Sequence, residues 1–201
     1  MHPGAEASAS RMTTTVAGPP WRLVTPAAVV EFAWRGDRWA HRVILPARAD
    51  RSAGAEPVSG SASIEWASVE GPLPPEDDPR WPASPALVNV TSVLAAAGPA
   101  LVGVGLSGRS HFSATVAADP AAPGAIRFEI ACRLHEAAGW LGSTYRSGGR
   151  LVRIAATPPP ARLPHTVTWA YSLGPEGPFA AVGATIHDAT AGQPPDHEWA
   201  G

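Results

Sequence analysis

The chain has 201 residues, 45% of them hydrophobic and only 16% charged, with a net charge of −2. That is one domain's length with one core, and a charge so near neutral leaves no long-range field to draw in nucleic acid or acidic lipid. The 20 Gly and 23 Pro exclude a helical architecture, because each internal Pro costs a helix roughly 3 kcal/mol, and they suit short strands joined by many turns.

All 15 basic residues are Arg, and with the excess of Ala, Gly and Pro this points in part to a GC-rich genome and carries no functional signal; a bacterial source is the expectation. Cys132 is the only cysteine, so no intrachain disulfide can form. No apolar run has signal-peptide or membrane-span length. A soluble protein of the reducing cytoplasm, with no nucleic-acid or membrane partner, is the expectation.

Residues 1–20 are small and polar and read as a disordered arm. A single β domain is expected over 21–188, and 189–201 reads as a flexible tail. Val29 to Leu45 predicts a hairpin. With Gly36-Asp37 as a two-residue turn, Trp34 faces Trp39, Phe32 faces His41 and Val30 faces Val43 on an apolar face. The other face then pairs Ala33 with Ala40 and Glu31 with Arg42, and a slip of one residue would destroy both faces at once. The Arg35-Gly36-Asp37 tripeptide, which spells an integrin ligand, is therefore read as a hairpin turn.

Residues 46–60 read as a loop, 63–69 as a short strand, and 70–85 as an extended Pro-rich crossing pinned by Trp81. Further strands are expected at 87–94, 100–106, 111–117, 126–134, 151–155, 166–173 and 179–187. Helix-forming Ala and Leu make 86–97 ambiguous, and its Val and Thr favour a strand. In 126–134, Phe128, Ile130, Cys132 and Leu134 share one face, so Cys132 is a core thiol. The sum is an all-β fold: an antiparallel β-sandwich or flattened barrel of about nine or ten strands.

Several motifs fail on mechanism. Gly103 to Gly108 (GVGLSG) has the dinucleotide-loop spacing, but the strand-like alternation after it leaves no helix N-terminus to hold a pyrophosphate. Its glycines mark a place where another backbone, or a ligand, comes close. The seven histidines show no metal-ligand spacing, and Asp196-His197-Glu198 sits in the tail, so neither metal nor cofactor is expected.

One constellation points to chemistry. If 111–117 and 126–134 form a hairpin, Arg109, His111, Arg133 and His135 meet at one sheet edge. The segment leaving that edge carries Trp140, Tyr145 and Arg146. Arginine forks beside aromatic faces suit a carboxylate, phosphate or sugar. A solvated polar face with an aromatic cap is the blander account of the same residues.

The runs WRGDRWAHR, GLSGRSHFSATV and FEIACRLHEAAGWLGSTYR are similar to segments of an uncharacterised family of small planctomycete proteins, over most of residues 21–187. The resemblance implies a shared fold and carries over no activity and no functional residue. The leading expectation is a small-molecule- or partner-binding β module with an anionic or carbohydrate ligand. The first rival is an enzyme using His111 or His135 as general acid-base, its arginines holding the substrate. The second is an interaction protein that associates through tryptophans and strand edges.

Overall fold

A computed structural model describes residues 15–17, 19–46, 63–71, 81–157 and 162–189. Fourteen strands run in chain order: β1 (Thr15–Ala17), β2 (Arg22–Val24), β3 (Val29–Trp34), β4 (Trp39–Leu45), β5 (Ile64–Ser68), β6 (Leu87–Ala95), β7 (Gly98–Ser107), β8 (Ser110–Ala118), β9 (Ile126–Leu134), β10 (Gly142–Ser147), β11 (Arg150–Ala156), β12 (His165–Gly174), β13 (Gly177–Ala180) and β14 (Ala184–Ala189). Every pairing is antiparallel. The sheet follows the path β13-β12-β9-β8-β7-β6-β4-β5-β10-β11-β14, with β3, β2 and β1 branching from β4. It forms a nearly closed, barrel-shaped sheet, one of the two all-β forms that the sequence leaves open.

The β3–β4 hairpin has the register that its patterning dictates, with Trp34 opposite Trp39, Glu31 opposite Arg42 and Phe32 opposite His41. Gly36 takes a φ of 88°, and the Arg35 amide bonds the Arg38 carbonyl at 2.8 Å, closing the two-residue turn. Arg42 reaches Glu31 at 2.8 Å on the outer face, while Val30, Phe32, Val43 and Leu45 fill the core. In β9 the alternation turns Phe128, Ile130, Cys132 and Leu134 inward, and burial pushes the Cys132 thiol up to about 12.

Four differences from the sequence reading have physical causes. β1 lies within the stretch read as a disordered arm, where three residues are too few to show a period. The three residues of β2 pass unnoticed for the same reason. β10 turns Ser143 and Tyr145 inward, so its buried side lacks the aliphatic signal of a strand. The run expected over 179–187 breaks at Gly183 (φ 71°) into β13, which pairs with β12, and β14, which pairs with β11. Residues 86–97 are strand from Leu87 to Ala95. The expected arm at 1–14, the loop at 47–60, most of the Pro-rich crossing and the Asp196–Glu198 tail lie outside the described residues.

The crossing's last stretch, Trp81 to Ala86, is buried throughout and packs onto the sheet. Trp140 Nε1 and Thr144 Oγ1 both donate to the Ala83 carbonyl, at 3.0 and 2.9 Å, and Ser84 Oγ donates to the Thr144 carbonyl at 3.1 Å. The same stretch explains GVGLSG. A methyl at Gly105 would overlap the Ala86 carbonyl, and one at Gly103 would run into Leu87. Gly108 (φ 55°) makes the turn into β8, a strand where a nucleotide loop would need a helix. The close neighbour is backbone at Gly105, and a side chain, Leu87 or Glu136, at Gly103 and Gly108.

Candidate functional site

Strand pairing builds the predicted edge. β8 and β9 are adjacent with His111 opposite Arg133, and β12 follows with Thr166 opposite Arg133. All three side chains point outward by alternation. The His111 and His135 rings stand edge to face with centroids 6.0 Å apart. Arg109 donates from Nη2 to the His135 carbonyl at 3.3 Å, and its amide donates to Glu136 Oε1 at 3.0 Å. Arg133 Nη1 reaches Thr166 Oγ1 at 3.3 Å. Arg109, His111, Arg133 and His135 are all exposed, so their long hydrogen bonds leave guanidinium donors facing water.

Trp140, Tyr145 and Arg146 do not join them. β10 pairs with β5 and β11 and never with β9, so it carries these residues to another arc of the barrel. Tyr145 is fully buried inside it. Trp140 bonds Ala83, and the Arg153 guanidinium lies 3.8 Å over its ring. The proposed aromatic cap on the edge is thus absent, because two-residue periodicity turns Tyr145 toward the core.

A trough that sequence reasoning missed adjoins the edge. Two residues along each strand from His111, Arg133 and Thr166 stand Ser113, Ala131 and Thr168, and two further on stand Thr115, Glu129 and Ala170. Of these, the small and hydroxyl-bearing Ser113, Thr115, Ala131, Thr168 and Ala170 floor an open depression of about 360 Å³, walled by Arg127, Glu129 and Val182. Arg127 Nε bonds Glu129 Oε1 at 2.8 Å, closing the far end with an ion pair. Each step of two residues is roughly 6.7 Å, so a ligand's charged group at Arg133 and its body in the trough would span neighbouring rows. The signal was present as Ser, Thr and Ala at alternate outward positions, but it needs the three-strand register to become visible.

A second polar cluster lies inside the barrel. His41 Nε2 is 2.7 Å from the Tyr145 hydroxyl, which is 2.6 Å from that of Tyr171. The His41 ring stacks on Phe32 with centroids 5.1 Å apart, and Phe128 stacks on Tyr171, also at 5.1 Å. Burial drives the His41 imidazole down to about 3, so it is neutral, and burial raises both phenols. Glu70, where the chain leaves β5, is half-buried as a residue, but its Oε2 is out of solvent and without a hydrogen-bond partner. Burial lifts this carboxyl to about 7 against the opposing hydrogen bond from Ser68 and the nearby Arg38 charge.

Among the described residues no three His, Cys, Asp or Glu side chains gather as a metal-holding group. No protein-family model matches the chain, and no curated protein or solved structure matches it.

Proposed function

We propose that this chain is a small-molecule-binding β-barrel that takes an anionic, hydroxyl-bearing ligand on the outer face of β8, β9 and β12. The observation that supports it is the continuity of two features on one face. The His111–Arg133–Thr166 row opens directly onto a trough floored by Ser113, Ala131 and Thr168. Arginine donors suit a phosphate or carboxylate, and serine and threonine hydroxyls suit the alcohols of a sugar. The trough is open, and His111 and His135 stand beside it on an exposed edge, a layout that favours binding over acid-base chemistry. A cytoplasmic setting fits the same reading, since the lone Cys132 is a buried free thiol.

A thermal-shift panel of sugar phosphates, sugar acids, neutral sugars and inorganic phosphate tests the proposal. Acidic sugars should raise the melting temperature most. Arg133→Ala should weaken them by roughly ten- to a hundredfold, the worth of one charge-assisted hydrogen bond. Ala131→Leu should fill the trough and abolish binding of the sugar body while sparing the fold. If no compound shifts the wild type, or every hit shifts both variants equally, the face is only wet surface and the proposal fails.

A further inference from the structure

We infer that β6 is a self-association edge, along which a second copy of this chain adds antiparallel to form a two-fold dimer. β6 pairs along its length with β7, but among the described residues its other side pairs only with Trp39 of β4, at Leu87. Among the described residues, nothing pairs with that side of the strand from Val88 to Ala95. An edge of this length presents a row of amides and carbonyls that another strand can complete, and proteins that must stay single blunt such edges with charge, proline or bulges.

β6 carries none of these devices along its open part. No charged residue occurs from Leu87 to Leu106, the only proline in that run is Pro99, and the one register shift lies at the very start, between Leu87 and Asn89. From Thr91 to Ala97 every residue is exposed, so both faces of the strand's end are open to solvent. The exposed apolar side chains include Leu94 at 85%, Val88 at 42% and Val93 at 39%.

A second copy fits this edge by its own symmetry. A two-fold axis through Thr91 sets Asn89 opposite Val93 and Val90 opposite Ser92, with Thr91 meeting its own copy. Val93, 39% exposed in the single chain, is thereby covered, and no charge repels across the seam. A foreign strand would need its own match to an uncharged, apolar edge; the copy supplies one automatically. The seam lies three strands from β9, about 14 Å along the sheet, so it leaves the proposed ligand face open. The two proposals stand or fall separately.

The experiment is sedimentation velocity on wild type, Thr91→Lys and Thr91→Glu, each alone, and then on an equimolar mixture of the two variants. Thr91 is exposed, so both variants should fold, which thermal melts check. Wild type should sediment as a dimer, each variant alone as a monomer because like charges meet at the axis, and the mixture as a dimer again. A monomeric wild type, dimeric single variants or a mixture that stays monomeric each overturns the proposal. Slow exchange, in a monomer, of those β6 amides that point away from β7 would also overturn it, by showing that the chain covers its own edge.

Discussion

Inside the barrel, His41 draws Tyr145 and Tyr171 together from β4, β10 and β12; on the outer face, His111 meets Arg133 and His135 from β8, β9 and the loop that follows. Both clusters gather a histidine and hydrogen-bonding partners, and both depend on strand register for their geometry. Water separates them. The inner groups have no solvent to fall back on, so each bond tethers one arc of the barrel to another, and losing a partner strands a buried polar atom. The outer groups exchange their bonds with water freely. The inner cluster therefore acts as a structural brace, and the outer one stays available to a ligand.

The sharpest break in that comparison is His41→Ala. It removes a ring stacked on Phe32 and packed near Phe128, and it leaves the buried Tyr145 hydroxyl with Tyr171 as its one remaining partner among these groups. Urea unfolding should show a loss of roughly 3–5 kcal/mol.

Next comes the pH dependence of stability. His41 is depressed to about 3, so between pH 3 and its ordinary value near 6.5 only the unfolded chain binds its proton, and stability rises with pH. Glu70 is raised to about 7 from its ordinary 4.5, so over that window only the folded chain holds the proton, and stability falls as pH rises. The two contributions oppose each other from about pH 4.5 to 6.5. Glu70→Gln should steepen the rise in that window by up to about 1.4 kcal/mol per pH unit, and His41→Gln should tilt it the other way. Parallel pH profiles for wild type and both variants would show that neither group is perturbed by burial.

Tyr145→Phe removes a hydroxyl that serves both His41 and Tyr171, and denaturation should register about 1–3 kcal/mol. Cys132 measures the same inner environment by reactivity. A thiol reagent should label it slowly in the native protein and quickly once unfolded, and rapid native labelling would contradict its burial. The smallest effect belongs outside: His111→Ala should change stability by less than about 0.5 kcal/mol. A large loss there would mean that the outer cluster also holds the fold together.

The outer cluster was legible in the sequence because His111 and Arg133 belong to one hairpin, whose two strands announce themselves by alternation. Arg109 and His135 then follow from position alone. Tyr145 misled because its strand hides serine and tyrosine on the inner side, where a reader looks for aliphatic residues. The brace could not be read at all. His41 and Tyr145 are 104 residues apart, and their meeting depends on β5, β10 and β11 joining the far side of β4. Local pattern fixes which way a side chain faces within its strand, as the β3–β4 register shows. It does not fix which distant strand lies across the barrel, and the hydroxyl-floored trough needed that same missing information.

Gly105 bears on how this chain can change over generations. The atom that a side chain there would strike is the Ala86 carbonyl, part of a buried backbone that cannot swing aside as a flexible side chain would. Substitution at this position should therefore be purged by packing alone. Lineages descending from this protein would keep a glycine at this point of β7, one letter of the nucleotide-loop spelling, whether or not any of them ever met a nucleotide.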